Sequence, residues 1–136
     1  VKRYLLDTGT AGDFLARRKG VDVRVREAGV RGARVGTCYP VLGELYAGVE
    51  LSASREKNLA LLQRSLGRLV IWPFETNAAE IYGRLFAELR RMGRPMQQID
   101  IQIAAIAMAL GNCTVVSADS DLAAVPGLVV ENWSIP

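Results

Sequence analysis

Short apolar runs alternate with stretches of helical spacing along the whole chain, and that alternation leaves few folds open. Tyr4-Leu5-Leu6 reads as a strand stopped by Asp7-Thr8-Gly9. Helical spacing follows, through Phe14 and Leu15 and then Val21, Val23 and Val25. Arg34-Val35 leads a second strand to Thr37, with Gly29, Gly32 and Gly36 marking loops around it. Pro40 suits the first turn of a helix whose apolar face is Val41, Leu45, Gly48 and Val49. Leu51 to Leu66 continues in helical register. Leu69 to Trp72 is a strand stopped by Pro73, and Asn77 with Glu80 has the pattern of a capping box opening a helix through Ile81, Leu85 and Leu89. Ile99 to Leu110 is helical, apolar nearly all round and closed by Gly111. Thr114 to Val116 and Leu128 to Val130 are the last two strands. Strands this short and this uniformly apolar, separated by helices, belong to a parallel sheet covered on both faces. With 136 residues and no repeat, low-complexity segment or Pro/Ser linker, the expectation is one α/β domain spanning residues 1–136.

Composition narrows the chemistry. Half of the residues are hydrophobic, enough for a core. The longest apolar stretch is broken by Asp100 and Gln102, short of the roughly 18 residues needed to span a bilayer. The start, Val1 to Asp7, is too short and too soon charged for a signal peptide. A cytoplasmic protein is therefore expected, with a removed initiator Met before Val1. The chain has no histidine, which excludes Ser-His and Cys-His nucleophile pairs and imidazole-based zinc sites. Cys38 and Cys113 form no C-x-x-C motif and read as two buried apolar thiols. A net charge of +3 permits a polyanionic partner. Chemistry, if present, must run on carboxylates, hydroxyls, Lys or Arg.

Most acids sit among cations at helical spacing, as Glu27, Glu56 and Glu88 do, and belong on solvated faces. Four stand apart. Asp7 ends the first strand, and Asp119 follows the Thr114 to Val116 strand by three residues. Ligands of open α/β sheets bind beyond the carboxyl ends of the strands. If these two strands are neighbours, both carboxylates meet in one crevice, although Asp7 also suits a helix N-cap. Asp100 opens the otherwise apolar helix of Ile99, Ile101, Ile103 and Ile106, where a buried carboxylate needs a partner or serves the helix N-terminus. Glu44 lies mid-helix between apolar neighbours with no Lys or Arg three or four residues away. It suits a ligand role or a pairing with an Arg from another element. Two carboxylates about 5 Å apart repel by roughly 3 kcal/mol at an effective dielectric near 20. Four together must take up protons or hold a cation, and all-oxygen ligation favours Mg²⁺ or Mn²⁺.

Four segments, Leu5-Leu6-Asp7-Thr8, Glu44-Leu45-Tyr46-Ala47-Gly48, Ile99 to Ala105, and Val115 to Leu122, together resemble the PIN-domain ribonucleases. The resemblance is to the VapC-type toxins of VapBC toxin–antitoxin pairs and extends to the tail Val125 to Trp133. It implies a three-layer α/β/α sandwich around a parallel five-stranded sheet of order 3-2-1-4-5. It also implies a Mg²⁺- or Mn²⁺-dependent endoribonuclease whose metal-binding and catalytic acids are Asp7, Glu44, Asp100 and Asp119. Asp121 is the alternative fourth acid, and Thr8 and Ser117 are supporting hydroxyls. The implied partners are an RNA substrate, such as tRNA or ribosomal RNA, a VapB-type antitoxin and a second copy of the chain. Arg17, Arg18, Arg90, Arg91 and Arg94 are candidates for phosphate contacts. Leu45, Tyr46, Val49, Leu59 and Leu62 are candidates for a groove that takes the antitoxin's amphipathic tail. Two other functions fit the same pattern: a PIN nuclease of RNA processing, and a weakly active partner that tunes an antitoxin's DNA binding. A receiver-type phosphoacceptor domain also clusters acids at a sheet end. It needs a lysine after a late strand, and the lysines here are Lys2, Lys19 and Lys57.

Overall fold

The computed structural model describes residues 1–134, so Ile135 and Pro136 of the expected 1–136 domain lie outside the described residues. Five strands form one sheet: β1 (Arg3–Leu6), β2 (Arg34–Cys38), β3 (Val70–Trp72), β4 (Cys113–Val116) and β5 (Val130–Glu131). Every neighbouring pair is parallel and the order is β3-β2-β1-β4-β5, as the resemblance implied. Between the strands lie α1 (Thr8–Ala16), α2 (Val21–Val30), α3 (Tyr39–Leu51), α4 (Arg55–Leu66), α5 (Thr76–Arg91), α6 (Gln98–Leu110) and α7 (Ser120–Ala123). Right-handed crossovers put α1 to α4 on one face and α5 and α6 on the other. The packing of α1 against α2, α3 and α4, and of α5 against α6, accords with those layers.

The central strands are buried on both sides. Leu5, Leu6, Val115 and Val116 are fully buried. Thr37 is buried with them, and its hydroxyl donates to the Leu6 carbonyl at 2.7 Å. In α6 the run Ile103 to Ala107 is buried without a break, which is the all-round burial its sequence required. Cys38 is fully buried and Cys113 partly so. Burial pushes their thiols up to about 12 and about 11, so both stay protonated and unreactive. Among the described residues no helix is long and apolar enough to cross a membrane.

Local structure departs from the sequence expectations in four places. Gly36 is no loop residue: it pairs with Val70 inside the sheet. A Cβ there would lie 2.2 Å from the Val70 carbonyl oxygen and 2.9 Å from the Trp72 ring, so the glycine permits a close approach of β2 to β3. The capping box at Asn77 and Glu80 does not form. α5 starts two residues earlier, with Glu75 as N-cap, and the Asn77 side chain accepts from the adjacent Ala78 N–H at 2.8 Å. The stretch Leu51 to Leu66 is interrupted after Leu51, where the Ser52 hydroxyl bonds back to the Val49 carbonyl at 2.7 Å and ends α3. The last strand is shorter than expected, Val130–Glu131, although the Val129 carbonyl still accepts the Val115 N–H at 2.9 Å.

Candidate active site

The site grows from the carboxyl ends of β1 and β4. These strands are neighbours, paired Leu6 to Val116. The Asp7 N–H extends the ladder by donating to the Val116 carbonyl at 3.1 Å. Asp7 then caps α1: its Oδ1 accepts the Thr10 N–H at 2.9 Å. Its other oxygen, Oδ2, accepts the Ser117 hydroxyl at 2.5 Å. Ser117 Oγ in turn accepts the Asp119 N–H at 2.9 Å, and Asp119 Oδ1 accepts the Asp121 N–H at 2.9 Å, capping α7. N-capping and site placement are thus one arrangement for both Asp7 and Asp119.

Glu44 comes from α3, which packs against both α1 and α6. It pairs with no Arg among the described ion pairs. Its Oε1 accepts the Thr8 hydroxyl at 2.6 Å instead. Asp100 sits in the first turn of α6. All four carboxylates line one cleft of about 590 Å³. Burial first, and then the charges of Asp119, Asp7, Asp121 and Glu44 in that order, push the Asp100 carboxyl up to about 6. Asp121 does not line the cleft. It is exposed and faces Arg94 at 3.5 Å.

The acids share the cleft without converging on one point. Among the described residues no group of three or more acidic or thiol side chains is gathered closely enough to hold a metal ion. Asp7, Glu44 and Asp119 are each engaged by hydrogen-bond donors: the Thr10 N–H and Ser117 hydroxyl, the Thr8 hydroxyl, and the Asp121 N–H in turn. The donor set is nonetheless all oxygen and unneutralised. That suits Mg²⁺ or Mn²⁺, since Mg²⁺ usually keeps several waters and takes only one or two carboxylates directly.

The five candidate arginines divide. Arg18 lines the cleft, where it pairs with Asp13 at 3.3 Å. Arg94 stands beside it through Asp121. Arg17 turns into a separate cavity, Arg90 lies over the Phe86 ring at 5.0 Å and Arg91 lies on the exposed face of α5. Asp13, Lys19 and Gln97 line the cleft and were not expected there. Asp13 pairs with Arg18 at 3.3 Å and Lys19 at 3.8 Å on the cleft wall.

A parallel sheet of this order, with acids at the carboxyl ends of its central strands, defines a class, and comparison with known proteins specifies it. Residues 4–128 match the PIN domain family. The tRNA(fMet)-specific endonuclease VapC of Salmonella typhimurium is 31% identical over 131 residues, covering 96% of this chain and 98% of its own. Ribonuclease VapC2 of Haemophilus influenzae is 30% identical over 131 residues, again 96% of this chain and 98% of its own. Among solved structures, VapBC2 from Rickettsia felis bound to a DNA fragment from its promoter superposes with a TM-score of 0.89 at 28% identity, covering 96% of this chain and 98% of that one. The chain belongs to the PIN-domain family and, within it, to the VapC type.

Proposed function

We propose that the protein is a divalent-metal-dependent endoribonuclease, the toxin of a VapBC-type pair, acting in the cytoplasm as one PIN domain on structured RNA such as tRNA. The observation that carries this is the set of four carboxylates, Asp7, Glu44, Asp100 and Asp119, lining one cleft at the carboxyl ends of β1 and β4. The names of the VapC relatives support the reaction and the RNA class. The VapBC complexes support an antitoxin partner.

Asp7, Asp100 and Asp119 would hold the cation, with Glu44 completing the set. Bound there, Mg²⁺ or Mn²⁺ supplies charge neutralisation at phosphorus and acidifies the attacking water. The rest falls to the chain. Ser117 and the Thr10 N–H fix the Asp7 carboxylate, and Thr8 fixes that of Glu44. Asp100, with its carboxyl near 6, retains part of its proton close to neutrality and gives it up when positive charge enters. Arg18 and Lys19 on the rim face the phosphate strand. Asp119 is preferred to Asp121 as the fourth acid because it lines the cleft while Asp121 pairs outside it. Leu45, Val49 and Leu62 line an apolar groove of about 310 Å³ with Leu15 and Leu61, suited to the antitoxin's amphipathic segment. Tyr46 and Leu59 do not line that groove.

The test is cleavage of a labelled tRNA pool by purified protein with Mn²⁺ or Mg²⁺. Activity should vanish in EDTA and in Asp7→Asn and Asp100→Asn. Cleavage that persists in EDTA would overturn the metal site, and no cleavage with either metal would overturn the nuclease assignment.

A further inference from the structure

We propose that Arg17, Arg64 and Arg68 form a second anion site, the seat for a backbone phosphate of the RNA strand that enters the acid cleft. The inference rests on the ribonuclease function above and adds a subsite to it.

The ends of α1 and α4 enclose a cavity of about 460 Å³ lined by these three arginines with Phe14, Leu61 and Ser65. No carboxylate lines it. Among the described ion pairs, Arg18 and Lys19 meet Asp13, Arg55 meets Glu50 and Arg94 meets Asp121, whereas Arg17, Arg64 and Arg68 meet no acid. The Arg68 guanidinium lies 5.0 Å from the centroid of the buried Phe14 ring, which holds its charged end at the cavity. Arg17 closes α1 at φ 54°, the left-handed conformation that glycine fills most easily. Arg17 lines this cavity, and the two cations that follow it do not. Those two, Arg18 and Lys19, line the acid cleft. Arg64 by itself is explained by the last turn of α4, where a cation complements the helix dipole. That explanation does not cover the convergence of Arg17 and Arg68 on the same space.

Asp7 and Arg17 cap opposite ends of α1, about 15 Å apart at 1.5 Å per residue. The segment Arg17 to Lys19 therefore keeps a net positive charge from the cavity to the cleft, with Asp13 offsetting part of the charge of Arg18 and Lys19. A strand following it has its scissile phosphate among the acids and a phosphate a few nucleotides away among the arginines. Contacts of that kind fix register and add affinity without reading sequence. The rival ligand is an acidic side chain of a protein partner in the adjoining apolar groove, which shares Leu15, Ala16 and Leu61 with the cavity. Arg18 lines that groove as well as the acid cleft, and the cations that run on through Lys19 into the cleft favour RNA.

The experiment is fluorescence anisotropy of the full chain with a labelled single-stranded RNA in EDTA, across a series of salt concentrations. Arg17→Gln/Arg64→Gln and Arg68→Gln should each weaken binding about tenfold and flatten the salt slope by about 0.7 per lost phosphate contact. Lysine at the same positions should restore most of the slope, because the charge returns. If Arg68→Gln fails to fold for want of its Phe14 contact, the Arg17/Arg64 pair carries the test. Unchanged affinity and slope in a variant that melts like the wild type would overturn the site. Weakened binding of the cognate antitoxin with RNA binding intact would overturn it too, and assign the arginines to the protein partner. A wild-type protein that neither binds nor cuts RNA would instead remove the ribonuclease function on which the inference stands.

Discussion

The Ser117 hydroxyl donates to Asp7 Oδ2 at 2.5 Å across 110 residues of sequence, and so ties the end of β4 to the end of β1. The same oxygen accepts the Asp119 N–H, which makes one buried hydroxyl the joint between two acids of the cleft. Ser117→Ala should lower unfolding stability by about 2 kcal/mol, the usual worth of a hydrogen bond to a charged group. Urea denaturation in EDTA measures this. A loss under about 0.5 kcal/mol would mean that solvent replaces the hydroxyl.

Asp100 makes the metal-free protein sensitive to pH. Its carboxyl lies near 6 in the folded chain, against an ordinary 3.8, because of burial first and the neighbouring carboxylates second. Between those values the native state holds a proton that the unfolded state has lost. Its contribution to stability therefore falls as pH rises through that window and stays lower above about 6. In EDTA, Asp100→Asn should melt higher than wild type at pH 7.5 and at nearly the same temperature at pH 4. Equal melting at both values would show that the acids do not strain the cleft.

Metal should reverse that order. With Mn²⁺ present, the wild type should gain melting temperature at pH 7.5 and Asp100→Asn should gain less. Mn²⁺ affinity should fall as pH drops through about 6, where Asp100 of the metal-free protein holds a proton that it must release to bind. Calorimetric titration that finds the same affinity at pH 7.5 and pH 5 would remove Asp100 from the ligand set.

Thr8 acts on Glu44 alone, through its 2.6 Å hydrogen bond. Both groups are accessible, so Thr8→Val should change stability by less than about 0.5 kcal/mol. Divalent affinity should nonetheless drop about tenfold, as for the loss of a group that orients a ligand. Calorimetric titration with Mn²⁺ checks this, and unchanged affinity would leave Glu44 outside the cation's reach.

Gly36→Ala tests the sheet rather than the site. The added methyl meets the Val70 carbonyl, which is backbone and cannot yield without separating β2 from β3. The expected cost is about 3 kcal/mol or more. A variant of native stability would show that β3 is free to shift outward.

Much of the molecule was legible because each strong local signal agreed with the tertiary demand. Asp7 ended an apolar strand and Asp100 opened an apolar helix, and each needed somewhere to put a charge. The strand order that joins Asp7 to Asp119 came from the family resemblance, since no local pattern encodes which strands pair. Weak signals failed where tertiary packing overrode them. Gly36 looked like a loop residue, and its function as a gap for β3 exists only once Val70, far along the chain, lies beside it. Asn77 had a capping pattern, yet α5 starts at Thr76 and leaves it inside the first turn. Arg17, Arg18 and Lys19 were alike as sequence. The left-handed backbone at Arg17 and Lys19 sends them to different places, and dihedral angles of that sign are not written in Arg or Lys.

The position of β1 at the middle of the sheet also has a consequence for synthesis. The first strand to leave the ribosome waits for β4, and its partner hydroxyl Ser117 arrives 110 residues after Asp7. Until then the first acid lacks its clamp, and its companion Asp119 follows only two residues later. A chain terminated before β4 therefore lacks the Ser117 clamp and Asp119 and cannot assemble the four-carboxylate cleft.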